Sequence, residues 1–359
     1  MKGRNPLISI IILNYNGGKV TENCLCSVFK STYPNFEIIL LDNGSSEEEI
    51  LRFKKKYGRK IKLVLAKKNL GYASGNNLGA LVAKGEFLVF LNNDTLVSPD
   101  WLRGPLEKLR SDPKIAFLQP KIKWLEEKNF FEYAGGAGGF IDFLGYSFVR
   151  GRIFGSVEED VGQYNDEREI FWASGVALFC RKKIFEELGR FDNFFFAYHE
   201  EIDLCFRAQR KKYKVVYFPT SEILHLGGFT GNKNLFKRTF LKERNNLAMM
   251  IKNLSFLEIV CVFPFRFVLD ISSTFYYLRR YHSLVSASAV VTAYLSTLIN
   301  LPKIFRSRYS YRIKEFGYPR GSDLVTKTSI IWQYFILGRK TWNEIYYGKK
   351  LLSKIIKIF

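Results

Sequence analysis

Cysteine is scarce and unpatterned in this chain. Its five cysteines, Cys24, Cys26, Cys180, Cys205 and Cys261, form no Cys-x-x-Cys pair and no Cys/His cluster at zinc spacing. That excludes a zinc-finger framework and argues against a disulfide scaffold, so a reducing, cytoplasmic setting is expected. The basic start, Met1 to Pro6, runs into a short apolar stretch with no small-residue cleavage site, which reads as a first strand and not as a secretory leader. Helix-turn-helix, zinc-finger and RNA-binding aromatic patterns are all missing, so nucleic acid is not an expected partner. No internal repeat is visible.

What is present is bulk and positive charge. With 359 residues, 47% of them hydrophobic, the chain can bury a sizeable core in one large or two ordinary domains. The formal charge is +21, and residues 241–359 hold 19 Lys or Arg against 6 Asp or Glu, a net +13. A surface of that sign suits anionic lipid.

Three apolar runs in the first quarter each stop at an amide or a carboxylate. Leu7–Leu13 precedes Asn14-Tyr15-Asn16, Phe36–Leu41 precedes Asp42-Asn43-Gly44, and Phe87–Leu91 precedes Asn92-Asn93-Asp94. Short β-branched and aromatic runs bounded by turn residues read as buried strands, and open parallel sheets bind ligands beyond the carboxyl ends of their strands. For any single strand, a simple turn or helix cap is an equal reading. Between the strands, 18–30 and 73–84 read as helices, Ser45-Ser46-Glu47-Glu48-Glu49 caps another, and Ser98-Pro99-Asp100 opens a further one. The alternation predicts an α/β fold with right-handed crossovers. It degrades over 120–170, a loop-rich stretch with Gly135-Gly136 and Gly138-Gly139, and returns with a strand at 175–181 and a helix at 182–188.

Beyond about 240 the composition changes. Phe256–Leu278 is apolar but carries Glu258, Arg266 and Asp270 in one sector of a helical wheel, with Pro264 inside it, which predicts a kinked amphipathic helix. Residues 283–302 are uncharged and flanked by Arg279-Arg280 and by Lys303, Arg306 and Arg308. Basic residues at both ends favour an element lying along an anionic membrane surface over a buried helix or a true span. Localisation is therefore expected at the cytoplasmic face of the membrane, peripherally attached.

Asp94, at a strand end with Asn92 and Asn93 beside it, has the chemistry to hold Mg²⁺ or Mn²⁺ against the two phosphates of a nucleotide diphosphate. Asp42 can accept from the imide N–H of uracil or thymine, and Tyr15 can stack on the base. Residues 69–79 combine glycines that allow close backbone approach with the amides Asn76 and Asn77. Downstream, Glu200-Glu201-Ile202-Asp203 sets three acids beside aromatics, as a general base for a hydroxyl would need. His225, before Gly227-Gly228, is a potential metal ligand. A solvated acidic helix start and a structural histidine remain the plainer readings of these two stretches.

In order along the chain, Ser9–Asn16, Leu41–Ser45, Asn69-Leu70-Gly71 with Gly75-Asn76-Asn77, Phe90–Asp94 and Glu200–Arg207 resemble the successive motifs of family 2 glycosyltransferases. The rhamnosyltransferase-like branch is most similar, and the resemblance covers about residues 5–250. It implies a GT-A fold, a mostly parallel mixed sheet flanked by helices; the C-terminal helical extension, by its composition, is expected to associate with membrane. It also implies a nucleotide-diphosphate sugar donor, dTDP- or UDP-linked, a divalent cation, and inverting transfer to a glycan or lipid-linked acceptor. Tyr15 and Asp42 match base-binding positions, Asn93-Asp94 the end of the DxD-type motif, Glu201 the catalytic base and His225 a late metal ligand. Asn14, Asn43, Gly71, Asn76, Asn77 and Asn93 complete the expected donor site. Trp172, Ser174 and Gly175 are the acceptor candidates, within 120–180. Two departures stand out. Asn92 occupies the place of the first DxD acid, and Glu201 replaces the usual Asp, moving the carboxylate by about 1.5 Å. Glu200, with Asp203, therefore stays among the catalytic candidates. The expected division is a catalytic domain over 1–240 and a basic helical region over 241–359. A nucleotidyltransferase would carry a basic Gly-rich loop after the first strand, and a processive synthase several spans and a Gln-x-x-Arg-Trp motif; neither pattern occurs. A non-catalytic sugar-nucleotide or lipid-surface binding protein is the remaining rival.

Overall fold

Strand β1 (Ile8–Asn14) has almost no exposed position, because it lies between two parallel neighbours with helices on both faces, the setting that continuous Ile/Leu runs require. The computed structural model describes residues 5–132, 134–227, 234–281, 283–311, 315–319 and 323–346; Met1–Arg4 and Gly228 lie outside them. After α1 (Gly18–Val28) come β2 (Phe36–Asp42), α2 (Glu47–Tyr57), β3 (Lys62–Leu65), α3 (Gly71–Val82), β4 (Phe87–Asn92), β5 (Thr95–Val97) and α4 (Arg103–Ser111). Helix α2 shows the local logic: Ser46 Oγ accepts from Glu49 N at its start, acids fill the first turn and Lys54–Lys56 the last, complementing the helix dipole.

The main sheet adds β6 (Ile115–Trp124) and, after four short strands, β7 (Gly139–Asp142), β8 (Ser147–Val149), β9 (Arg152–Ile153) and β10 (Ser156–Val157), the strands β11 (Arg168–Glu169), β12 (Ala177–Arg181) and β13 (Lys214–His225). Its order is β11-β13-β6-β12-β4-β1-β2-β3, with β5 on β13. Strands β1 to β4 pair in parallel, while β12 runs antiparallel to β4 and β6. Asn14 is in register with Asp42, and Leu13 with Asn92, so the polar strand ends lie level along one edge.

Two features differ from the sequence expectation. The loop-rich stretch contains a second sheet, ordered β10-β9-β8-β7-β14, whose last strand β14 (Val325–Thr326) comes from the C-terminal region. Strands of two to four residues are too short for a period to register. The second concerns the C-terminal helices, which follow α5 (Lys182–Glu187) and α6 (Glu200–Arg210): α7 (Leu235–Asn253), α8 (Phe256–Tyr281), α9 (Leu284–Ile299) and α10 (Leu301–Ser310). They share one core with the rest, since Met250, Val262, Ile304 and Trp342 join Phe140, Ile141 and Phe206 in a single cluster. The charged sector of α8 faces that core. Arg266, only 1% exposed, pairs with Asp270, donates to Leu144 O and Asn246 Oδ1, and stacks 3.6 Å from the Tyr146 ring.

Candidate active site

Four strand ends build the polar edge. Asn14 Nδ2 donates to Asp42 Oδ2 and Glu49 Oε1, while its Oδ1 accepts from Thr21 Oγ1 and from Asn93 Nδ2. Asp42 Oδ1 takes the backbone N–H of Gly44 and Ser45, which folds the loop after β2 back on itself. Tyr15, beside this network, is 46% exposed. Asn43 holds the next turn, accepting from Leu70 N and donating to Gly71 O. Gly71 has φ +79°, and a Cβ there would sit 2.2 Å from Phe196 O; only glycine lets the 192–199 loop come so close. Asn76 donates to Tyr72 O, and Asn77 to Phe191 O. Both of these donor candidates are thus turned onto the protein, Asn77 fastening the same loop.

The fourth end carries Asp94, whose Oδ1 lies 3.1 Å from His225 Nε2. Strand β13 brings the two together: His225 pairs with Thr95, and Leu226 N donates to Asp94 O. Asn92 Nδ2 is 3.3 Å from the same imidazole nitrogen, and Glu132 Oε2 is 3.1 Å from His225 Nδ1. Burial alone would lower the His225 pKa, but Asp94 and Glu132 outweigh it and push it up to about 10, so without a metal the imidazole carries a proton at neutral pH. Among the described residues, Asp94 Oδ2 is buried with no hydrogen-bond partner, and no cluster of three or more His, Cys, Asp or Glu could hold a metal by itself. One orphaned carboxylate oxygen beside one imidazole fits a Mg²⁺ or Mn²⁺ that takes its other ligands from phosphate and water.

The acids at the start of α6 have a different environment. Tyr198 and His199 both adopt left-handed backbone (φ 72° and 71°) immediately before the helix, a strained approach for residues with side chains. Helix α7 holds it: Asn245 Nδ2 donates to Ala197 O and Tyr198 O, both at 2.8 Å, and Asn246 Nδ2 lies 3.0 Å from His199 Nε2. Burial pushes the His199 pKa down to about 3, leaving it neutral. Glu200 is buried and Glu201 half-buried. Among the described residues, neither Oε2 finds a hydrogen-bond partner. Burial, then the Glu201 charge, raises the Glu200 carboxyl well above its usual range, and burial lifts Glu201 to about 7. Asp203, expected with these catalytic acids, is instead saturated. It receives Arg207 Nε, Lys252 Nζ and Asn253 Nδ2, each at 2.9 Å, which ties α6 to α7. It faces the helix packing because it lies one turn round from the strained N-terminus.

Of the acceptor candidates, Gly175 is tied to Tyr72, whose OH donates to Gly175 O at 2.6 Å; burial, then the Glu200 and Glu201 charges, raises that phenol well above its ordinary range. Ser174 N donates to Gln119 Oε1 and its hydroxyl to Ala134 O. Trp172 Nε1 donates to Phe140 O at 3.0 Å, and its ring fills the space a side chain on Gly139 would need, so Trp172 shapes the wall from behind. Glu132, Asn245 and Asn246 were not singled out by the sequence; none stands in a motif, and only the fold brings them here.

The architecture and its strand-edge site define a GT-A-type α/β protein. Residues 9–189, half of the chain, match the family model described as glycosyl transferase family 2, and the protein belongs to that family. It is similar to the O-antigen biosynthesis protein RfbC of Myxococcus xanthus, 27% identical over 61% of this chain and 17% of that one. It is also similar to the N-acetylglucosaminyl-diphospho-decaprenol L-rhamnosyltransferase of Mycobacterium tuberculosis (strain CDC 1551 / Oshkosh), 24% identical over 61% of this chain and 76% of that one. The chain thus spans only 17% of RfbC, and 39% and 60% of two other curated relatives. Two solved structures share the fold. GalNAc-T7 with UDP, GalNAc and Mn²⁺ superposes with a TM-score of 0.56 and 19% identity over 70% of this chain and 48% of that one. The Pyrobaculum calidifontis mannosyltransferase with GDP-Man and Mn²⁺ gives a TM-score of 0.50 and 14% identity over 87% and 83%.

Proposed function

We propose that the protein transfers a sugar, with inversion, from a nucleotide-diphosphate donor to a hydroxyl of a glycan or lipid-linked acceptor. The observation that carries this reading is the orphaned Asp94 Oδ2 beside His225 on the same sheet edge as Tyr15 and Asp42. The half-exposed ring of Tyr15 would stack on the base, beside Asp42, whose carboxylate is buried and accepts from Asn14, Gly44 and Ser45. Asp94 and His225 would hold Mg²⁺ or Mn²⁺, which when bound neutralises the charge that develops on the departing diphosphate. Glu201, half-buried and without a partner for Oε2 among the described residues, takes the proton of the acceptor hydroxyl. As its oxygen bonds to the anomeric carbon, the bond from that carbon to the phosphate oxygen breaks. Glu200 is the deeper of the pair, and burial together with the Glu201 charge holds it in its neutral form; Asp203 positions their helix. Gly175, held by Tyr72, lines the acceptor side. The name of the rhamnosyltransferase relative supports rhamnose as the sugar and a polyprenyl-diphosphate-linked acceptor; the donor nucleotide in this reading is dTDP or UDP.

The test is nucleotide release from a panel of dTDP-, UDP- and GDP-sugars with Mg²⁺ or Mn²⁺. Metal-dependent release from one donor supports the reading. No release from any donor, with no metal-dependent nucleotide binding, contradicts it.

A further inference from the structure

We infer that the outer face of α8 and α9 is a docking surface for an anionic lipid bilayer, a role that goes beyond the transfer reaction. The polarity of α8 is inverted. Its buried charges, Arg266 and Asp270, point into the protein, and what remains outside, up to Arg279 at its end, is mainly apolar. Leu257 (71% exposed), Val260, Phe265, Phe267, Val268 (62%) and Phe275 are all largely bare. Helix α9 packs beside it through the Phe267–Tyr294 ring contact and the bond from Tyr294 OH to Asp270. It exposes Leu284, Val291, Leu295, Leu298 and Ile299 (80%) in its turn. A helix resting against water does not keep its charges inside and its phenylalanines out; an apolar patch this continuous marks a contact surface.

Charge identifies the occupant. Arg279 ends the bare face of α8, and Lys303 and Arg306 lie exposed on α10 just past α9. Among the described residues, no Asp or Glu on α8, α9 or α10 is exposed. An apolar face rimmed by cations alone matches acyl chains beneath anionic headgroups. A second copy of the chain is disfavoured, because a two-fold contact would press one basic rim against the other. Among the described residues, no single helix is long and apolar enough to cross a membrane. Helices α9 and α10 pass that test only as a pair bent by 63°, which suits elements lying in the surface. Since α7 is packed under α9 and also holds the strained turn before Glu200, docking would set the carboxylate pair one helix above the lipid.

The experiment is flotation of the full chain with vesicles of phosphatidylcholine alone or with one quarter phosphatidylglycerol, at low and high salt. Wild type should float with the anionic vesicles and weaken severalfold at high salt, at about fivefold per basic residue lost from the surface. The triple variant Val268→Glu/Leu295→Glu/Leu298→Glu and the pair Lys303→Glu/Arg306→Glu should each lose at least about tenfold. Far-UV circular dichroism and nucleotide release should stay unchanged, which separates a docking failure from misfolding and from failure of the transferase reading. The proposal is overturned if wild type does not float, or if the triple variant floats like wild type. Retention of wild type on vesicles through carbonate washing would overturn it in favour of a membrane span. A concentration-dependent dimer lost in the triple variant, with no flotation, would overturn it in favour of self-association.

Discussion

His225 Nε2 lies 3.1 Å from Asp94 Oδ1, although 131 positions separate them in sequence. Strand β13, paired to β5, makes the contact, and the second Asp94 oxygen is left without a partner among the described residues. That oxygen and the imidazole are the two groups a cation would take from the chain.

Asp94→Ala is therefore expected to abolish turnover and to remove the metal dependence of donor binding, measured by titration calorimetry of the nucleotide with and without Mn²⁺. His225→Ala should show a milder form of the same defect. Full metal dependence in Asp94→Ala would return that residue to a structural role.

Removing the brace on the strained turn should cost both stability and rate. Asn245→Ala deletes the two part-buried hydrogen bonds to Ala197 O and Tyr198 O, at about 1–2 kcal/mol in a denaturant melt. With Tyr198 and His199 released from φ 72° and 71°, kcat should fall more than donor affinity does. An unchanged kcat would show that the turn geometry is not used in catalysis.

The strand ends were legible because a buried parallel strand is an uninterrupted apolar run, and its polar stop is visible by contrast; Asn14, Asp42 and Asp94 all stand where that reasoning sets them. Helix α8 was legible as an element with one charged sector, but periodicity gives a sector and not the direction it faces. The direction comes from the folded chain, where Arg266 is buried, stacks on Tyr146 and bonds to Leu144 O and Asn246 Oδ1. Spacing groups Asp203 with its neighbours and sets Arg207 at i+4 from it, but its other two partners, Lys252 and Asn253, come from α7, contacts that no local pattern encodes. Glu132 and the pair Asn245 and Asn246 were invisible for the same reason.

The acid limb of the pH profile should lie far above the ordinary carboxylate range. Burial raises Glu201 to about 7, and burial with the Glu201 charge raises Glu200 well above the ordinary carboxylate range, so the pair loses its protons in shared steps. A general base works only when ionised; the rate at saturating metal should therefore rise with pH through about 7 and fall below it. A profile flat from pH 5 to 8 would exclude this pair as the base.

The most direct measurement compares kcat and donor affinity in Glu201→Gln and Glu200→Gln. Glutamine preserves shape and hydrogen bonding but cannot take a proton. Glu201→Gln should lower kcat by about 10²–10⁴-fold with donor binding nearly unchanged, and Glu200→Gln should be clearly less damaging. Wild-type turnover in Glu201→Gln would contradict the account, and a reversed ranking would move the base to Glu200.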